Sequence, residues 1–180
     1  MELYLITGFL GAGKTTFLKN FARQFAGRRL RLIINEFGRA GVDGTLLREL
    51  DAALDEISNG SIFCACRLDQ FEAALEQAAA DAPDVVLVEA SGLADPTNVR
   101  RVLAQFPAVS YQGSVCVADA ARLEKVFSTA RACPRQLAVS SLVLLNKTDL
   151  ATEAQCAEAK ALILRANPAA RIRRTQFGRF

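Results

Sequence analysis

The sequence predicts a three-layer α/β domain with a mostly parallel central β-sheet flanked by helices. Short apolar runs alternate along the chain with segments of helical periodicity, which is typical of βαβ units. Residues 85–88 are four consecutive apolar residues, as expected for a strand that is covered on both faces. The length of 180 residues suits one domain, and we assign residues 1–180 to it. Ligands of such sheets bind at the carboxyl ends of the strands.

The individual elements follow from local patterns. Residues 3–7 are a short apolar run and are predicted to form a buried strand. Phe17, Phe21 and Phe25 recur every fourth residue, so a helix over 15–26 is expected to turn one aromatic face to the core. The other predicted strands are 30–35, 57–63, 85–88, 114–118, 142–145 and 171–175. Helices are also predicted over 68–80, 95–106 and 152–167. Asp95 is the expected N-cap of the second of these, and Thr152 and Gln155 are expected to form a capping box at the start of the third.

Composition excludes several classes of protein. The net charge of +3, from 22 Lys and Arg against 19 Asp and Glu, disfavours a dedicated nucleic-acid or membrane-surface protein. The chain contains no histidine, so it has no imidazole base and no histidine ligand for a metal. Five cysteines without a secretory signal indicate reduced thiols in a cytosol. We therefore predict a cytoplasmic protein with no nucleic-acid and no membrane partner.

Residues 8–15, GFLGAGKT, match the P-loop pattern G-x-x-x-x-G-K-[ST] between a predicted strand and a predicted helix. Backbone amides of such a loop surround a phosphate, and the helix N-terminus adds its dipole. Lys14 is expected to reach the β- and γ-phosphates as a catalytic residue, and the Thr15 hydroxyl to bind Mg²⁺. The alternative is a glycine-rich turn. The predicted nucleotide-binding residues of this segment are Gly11, Ala12, Gly13, Lys14, Thr15 and Thr16.

The segment Asn146-Lys147-Thr148-Asp149 follows the predicted strand 142–145 and has the guanine-reading pattern N-K-x-D. The Asp149 carboxylate would accept hydrogen bonds from guanine N1–H and the N2 amine. Lys147 would cover one face of the base, and Asn146 would bond near N7 and brace the loop. Adenine presents a lone pair to Asp149 and lacks the N2 donor, so this site would reject it. The alternative is a polar turn before a helix.

A third segment, Glu89-Ala90-Ser91-Gly92, follows the predicted strand 85–88. An acidic residue at this point of a P-loop protein belongs on the Mg²⁺ side of the phosphates. Glu89 is therefore a predicted catalytic residue that holds a metal-bound or attacking water. The Gly92 amide would contact the γ-phosphate and sense its loss. The alternative for Glu89 is a solvated carboxylate at a strand end.

Residues 35–44, NEFGRAGVDG, form an acidic loop interrupted by glycines and are a candidate for switch I. Glu36 and Asp43 could ligate a metal or polarise water; we assign Glu36 as a metal ligand and Asp43 as a catalytic residue. A surface turn explains the glycines almost as well. Arg39 is the internal cation that could move towards the phosphates, since the phosphate loop itself contains no arginine. Slow hydrolysis without a partner is expected, because a missing arginine costs roughly 10³- to 10⁵-fold in rate.

Cys64 and Cys66 form a possible site for a soft cation. In a tight turn both thiolates could face one Zn²⁺, and Arg67 would lower their pKa values. Two thiolates are half of a tetrahedral site, so Glu36, water, another subunit or a further region must supply the rest. The alternative is a pair of packed thiols before a helix. We interpret Cys116, Cys133 and Cys156 as structural.

Taken in this order, these segments resemble the CobW-like family of P-loop GTPases, of the metallochaperone and cobalamin-synthesis type, related to the UreG and HypB GTPases. The resemblance implies a P-loop NTPase fold, hydrolysis of GTP to GDP with Mg²⁺, and a metal-chaperone or insertase role for zinc, cobalt or a similar ion. It also implies a client metalloprotein, and it is compatible with a homodimer. The resembling residues are 6–16, 34–38, the Asn59-Gly60 cysteine segment, 89–96, 146–150 and, at the end of the GTPase domain, 175–178.

Two features depart from the family pattern. The family usually has C-x-C-C after Asn-Gly, whereas the three cysteine positions of that pattern hold Ser61, Phe63 and Cys64 here. Cys66 could substitute for a lost thiol. The smaller C-terminal domain that usually follows is not part of residues 1–180.

Two alternative functions follow: a regulatory GTPase switch that acts on a partner without binding metal, and a small-molecule kinase. The guanine-reading pattern argues against the kinase.

Overall fold

The computed structural model describes residues 1–35, 44–58, 60–64 and 67–179. Within these residues seven strands form one parallel sheet in the order β3-β2-β4-β1-β5-β6-β7. The expected α/β architecture with a parallel sheet is confirmed. The strands are β1 Glu2–Thr7, β2 Leu30–Asn35, β3 Ala53–Ile57, β4 Val85–Glu89, β5 Ser110–Asp119, β6 Leu142–Asn146 and β7 Arg171–Arg174.

Helices connect the strands and cover the sheet. Two of them extend to 14 residues each, and the others are shorter. The described part of the chain has no helix that is both long and apolar enough to cross a bilayer. The helices are α1 Lys14–Ala22, α2 Gly44–Leu50, α3 Leu68–Asp81, α4 Val99–Leu103, α5 Leu123–Thr129, α6 Ala132–Ala138 and α7 Glu153–Ala166, with 3₁₀ turns at Arg23–Phe25, Pro96–Asn98 and Thr148–Leu150.

The strand β4, which lies between β2 and β1, is buried along its whole length, as its run of apolar residues predicts. Val86 and Val88 belong to a core cluster with α3 and α4, whereas Val85 and Leu87 belong to a second cluster with α1. Because successive side chains point to opposite faces of a sheet, this division shows that both faces of β4 are covered.

The aromatic stripe of α1 and the turn after it packs against the sheet, which confirms its assignment to the core. Phe17 and Phe21 are stacked with ring centroids 5.3 Å apart, and Phe21 meets Phe25 edge-on at 5.0 Å. Tyr4 of β1 contacts Phe21 and Phe25 at 5.4 and 5.5 Å. These rings fix α1 on β1, so the loop that joins the two is held at both of its ends.

Local capping signals are confirmed. The Asp95 side chain accepts from the Thr97 amide at 3.2 Å. Thr152 and Gln155 form the expected capping box, with reciprocal hydrogen bonds of 2.8 and 3.2 Å. The helix after Asp95 is nevertheless divided into a 3₁₀ turn and the short α4, which ends at Leu103 rather than near residue 106.

The prediction of a strand over 57–63 is wrong. The strand of this region is β3, which ends at Ile57, and residues 61–64 form a turn closed by a hydrogen bond from Cys64 N to Ser61 O of 2.9 Å. Ile62 and Phe63 are apolar because they are buried in the core cluster under α3. The predicted helix over 15–26 also ends early, at Ala22, and continues as a 3₁₀ turn.

Candidate nucleotide-binding site

The carboxyl ends of five neighbouring strands meet at one edge of the sheet, and each of these strands ends in a polar residue. Parallel pairing sets Ile6 beside Glu89, and Asp119 beside Asn146. The P-loop, the segment after β4 and the N-K-x-D segment therefore converge, although the sequence separates them widely. The five terminal residues are Thr7, Asn35, Glu89, Asp119 and Asn146.

Glycines shape the P-loop between β1 and α1. Gly11 and Gly13 have φ values of 72° and 104°, which L side chains rarely adopt. Gly8 lies so close to β5 that a Cβ on it would be 2.2 Å from the Val117 carbonyl oxygen. Lys14 is only 8% exposed, and its Nζ lies 3.4 Å from the Phe9 carbonyl oxygen. The lysine thus lies over the loop at the positive end of α1.

Thr15 and Glu89 meet beside the P-loop. The Thr15 hydroxyl donates to Glu89 Oε1 at 3.1 Å, across 74 residues of sequence. Glu89 is 1% exposed, so its carboxylate is buried at this edge of the sheet. A hydroxyl and a carboxylate are hard oxygen ligands of the kind that Mg²⁺ accepts. These two residues therefore fit the ion, and Glu89 is not the solvated carboxylate of the alternative interpretation.

Gly92 packs directly on the P-loop. A Cβ on Gly92 would lie 2.6 Å from the Leu10 backbone nitrogen. The buried Gln136 fixes the same segment from the other side, since its Nε2 donates to the carbonyl oxygens of Gly92 and Ala94 at 3.1 and 3.0 Å. The loop after β4 is held between the P-loop and α6.

Gly92→Ala is expected to push this loop away from the P-loop, because the added methyl group would meet the Leu10 backbone nitrogen as well as the Leu10 side chain, and the backbone cannot rotate away. We expect GTP hydrolysis to fall at least tenfold, measured as phosphate release under single-turnover conditions. Gly27→Ala is the control: Gly27 has a φ of 84° but no atom within 4 Å of its Cβ position, so that substitution strains the backbone far from the site. An equal loss of GTP hydrolysis in both variants would show that the effect comes from general destabilisation and not from the contact between Gly92 and the P-loop.

Asn146, the first residue of the N-K-x-D segment, braces the P-loop. Its Nδ2 donates to the Ala12 carbonyl oxygen at 2.9 Å. Its Oδ1 accepts from the Thr175 hydroxyl and from the Gly178 amide, both at 3.1 Å. One buried amide thereby joins β6, the phosphate loop and the segment after β7.

Lys147 also contacts the P-loop. It has a left-handed backbone with φ 58°, and its Nζ donates to the Gly11 carbonyl oxygen at 2.6 Å and to Asp119 Oδ2 at 2.7 Å. Asp149 is exposed in the adjoining 3₁₀ turn. Lys147 is thereby attached to the P-loop, and Asp149 lies close to it in sequence, in the turn that follows.

Sequence reasoning missed several residues of this region. Asp119 ends β5 and pairs with Lys147; its position after a buried strand is the same signal that identified Glu89. Thr175 supports Asn146 from a distance in sequence that no local pattern reveals. Arg122 is exposed, with its Nη1 3.9 Å from the Cβ position of Gly11, so a described cation stands beside the phosphate loop in addition to the proposed Arg39.

The proposed metal ligands are only partly described. Cys64 is exposed at the end of the 61–64 turn, before α3. Glu36, Asp43, Arg39 and Cys66 lie outside the described residues. Within the described ranges no three His, Cys, Asp or Glu side chains form a metal-binding group.

The other three cysteines are buried, as expected of structural thiols. Burial raises the pKa of the Cys133 thiol to about 11, and it also raises the pKa of Cys116. Both thiols therefore stay protonated at neutral pH, a form that does not ligate metals.

The fold and the arrangement of these motifs define a P-loop nucleotide-binding domain. The chain belongs to the CobW/HypB/UreG nucleotide-binding domain family, whose model matches residues 2–174. The expected family and fold are thereby confirmed.

Individual relatives agree with this assignment. The chain is 32% identical over 206 residues to the zinc chaperone CobW of Pseudomonas aeruginosa, covering 94% of this chain and 55% of the relative. It is 29% identical to the zinc chaperone YjiA of Escherichia coli, covering 84% of this chain and 50% of the relative. The chain therefore spans about half the length of these curated relatives.

Solved structures show the same fold. The Zn(II)-bound YjiA GTPase from E. coli matches with a TM-score of 0.71 at 23% identity, covering 96% of this chain and 57% of that one. The hydrogenase maturation factor HypB from Archaeoglobus fulgidus matches with a TM-score of 0.64 at 21% identity, covering 98% of this chain and 81% of that one.

Proposed function

We propose that this domain binds and hydrolyses GTP and couples its nucleotide state to a Zn²⁺ or Co²⁺ ion bound by Cys64, Cys66 and Glu36. The observation that carries the GTPase part is the hydrogen bond between Thr15 and Glu89, because it unites the magnesium residue of the P-loop with a buried carboxylate at the phosphate end of the sheet. The metal part is supported by the exposed Cys64 and by relatives described as zinc chaperones.

In this function each group acts on a defined part of the nucleotide. The amides of residues 11–15 and the N-terminus of α1 bind the phosphates. Lys14 neutralises the charge that develops on the β- and γ-phosphates. Thr15 would hold a Mg²⁺ ion, which when bound would supply further positive charge there. Glu89 orients the attacking water or a metal-bound water, and Asp43 assists in the same region. The Gly92 amide contacts the γ-phosphate.

The base is selected at the other end of the site. Asp149 accepts from guanine N1–H and the N2 amine, and the Lys147 stem lies against the ring. Asn146 holds the P-loop and the base loop in one arrangement through its contact with Ala12. A client metalloprotein that receives the ion, and a homodimer that completes its coordination, belong to the same proposal.

One observation favours a second function, a GTPase switch that acts on a partner without binding metal. Ser61 and Phe63 occupy two of the three positions at which the family pattern has cysteine. The structure buries Phe63 in the core, so this position offers no ligand atom.

A Co²⁺ titration separates the two functions. We expect one ion per chain or per dimer, a thiolate charge-transfer band in the near ultraviolet, and affinity that rises roughly 5- to 150-fold with GTP and Mg²⁺. Affinity should fall as pH drops, because the thiolates must lose their protons to bind. Cys64→Ser should remove the band, whereas Cys156→Ala, which deletes a buried thiol, should keep it. A band that never forms with GTP, or that survives Cys64→Ser plus Cys66→Ser, would leave the switch without metal as the function.

A further inference from the structure

Asn35, the last residue of β2, is a buried polar side chain at the same edge of the sheet as the nucleotide site. It is 1% exposed, and β2 lies between β3 and β4. A buried side-chain amide is costly unless its donors and acceptors are paired, so its partners indicate what it does.

All four hydrogen-bonding positions of the Asn35 amide are used. Its Nδ2 donates to the carbonyl oxygens of Ile57 and Gly60 at 3.0 and 2.7 Å. Its Oδ1 accepts from the amides of Ile62 and Ser91 at 3.1 and 3.3 Å. A side-chain amide offers two donor hydrogens and two acceptor lone pairs, so every hydrogen-bonding position of Asn35 is paired with a backbone group.

These partners belong to two different segments. Ser91 precedes Gly92, which packs on Leu10 of the P-loop. Gly60 precedes the 61–64 turn and Ile62 lies within it; the turn is closed by the Cys64 amide, which donates to Ser61 O at 2.9 Å. A continuous series of contacts thus runs from the P-loop through Gly92, Ser91, Asn35 and Ile62 to Cys64.

We propose that Asn35 is a positioning residue that transmits the nucleotide state from the loop after β4 to the cysteine segment. The inference rests on the proposed function for the identity of the bound nucleotide, but not for the binding of metal. The Oδ1 atom is shared by both segments, and the amide group is planar and rigid. A shift of the Ser91 amide that follows loss of the γ-phosphate therefore changes the hydrogen bond to Ile62 as well. By linkage, a change at Cys64 is transmitted back to the nucleotide to the same extent.

A purely structural role for Asn35 would affect stability without affecting this coupling. The test therefore measures the coupling itself. The rate of Cys64 alkylation by iodoacetamide is determined in metal-free protein, once with GTP and Mg²⁺ and once without nucleotide, and the coupling is the ratio of the two rates. The background is Cys66→Ser, so that one exposed thiol is followed, and labelled peptides are identified by mass spectrometry.

Asn35→Ala removes all four hydrogen bonds. Asn35→Asp keeps the size but replaces the Nδ2 group, which carries both donor hydrogens, by one carboxylate oxygen that faces Ile57 O and Gly60 O. Asn98→Ala is the matched control. Asn98 Nδ2 donates to the Phe63 carbonyl oxygen at 3.4 Å, so it attaches the same cysteine segment to the start of α4, with no contact to residues 91 and 92 among its described hydrogen bonds. Thermal melting and GTP affinity are measured for each variant.

We expect GTP to change the Cys64 alkylation rate roughly fivefold or more in the parent protein, a size typical of coupled sites. In Asn35→Ala and Asn35→Asp the ratio should return to within about twofold of unity, while Asn98→Ala keeps it. The inference is overturned if a folded, GTP-binding Asn35 variant keeps the parent ratio, if Asn98→Ala loses it equally, or if the parent shows no GTP effect. Should Asn35→Ala fail to fold, the isosteric Asn35→Asp decides. Failure of the Co²⁺ titration with the alkylation coupling intact would refute the metal function alone.

Discussion

Lys14→Ala is expected to abolish measurable GTP hydrolysis and to weaken GTP binding. The substitution removes the one P-loop side chain whose positive charge lies over the loop, where Lys14 is nearly buried and its Nζ is within 3.4 Å of Phe9 O. Preorganised charges that face a transferred phosphoryl group contribute several kcal/mol to transition-state stabilisation. We expect turnover to fall by roughly 10³-fold or more, measured as phosphate release at saturating GTP.

Lys19→Ala is the matched control, since Lys19 lies in the last turn of the same helix α1 and its removal changes the charge of the chain equally. It should keep the parent turnover within a few-fold. Parent-like hydrolysis in Lys14→Ala would refute the assignment of this loop as the phosphate site, whatever the stability of the variant.

The elements that the sequence predicts well are those with strong local signals. β4 is a run of apolar residues, and α7 begins at a complete capping box. The missed helices α2, α5 and α6 have seven residues each, which is too short for a clear helical periodicity. The false strand at 57–63 has the same origin, because Ile62 and Phe63 are apolar for packing under α3 and not for pairing in the sheet.

The residues of the candidate site also fall into those that a sequence motif indicates and those that it does not. The candidate nucleotide-contacting residues can be named from the sequence, since binding a nucleotide requires particular residue types at fixed spacing in the P-loop and in the N-K-x-D segment. Their supports were not predicted. Asn146 is held by Thr175 and Gly178, and Asn35 by groups of two separate segments, so these contacts exist only once the order of the strands is fixed. No local pattern specifies that order.

Asp149→Asn is expected to change the base that the domain prefers. Asp149 is exposed in the 3₁₀ turn beside Lys147, whose backbone is left-handed and whose side chain is tied to the P-loop at Gly11. The contact between Lys147 and Gly11 therefore attaches the turn that carries Asp149 to the P-loop. A carboxylate offers only acceptors, which suits guanine N1–H and the N2 amine. An amide offers one acceptor and one donor side, which suits the N1–H and the 2-oxygen of xanthine.

We expect Asp149→Asn to lose about 10²-fold in affinity for GTP, because two hydrogen bonds to a charged group, each contributing ~1.5–3 kcal/mol, are exchanged for one neutral bond and a donor that opposes the N2 amine. Affinity for XTP should rise, so that the preference between the two nucleotides inverts in competition binding. Asp51→Asn is the control: Asp51 is exposed in a turn before the amino end of β3, and asparagine tolerates its φ of 48°. If Asp149→Asn keeps the GTP-over-XTP selectivity of the parent and of Asp51→Asn, Asp149 does not read the base, and the guanine specificity must lie elsewhere in the site.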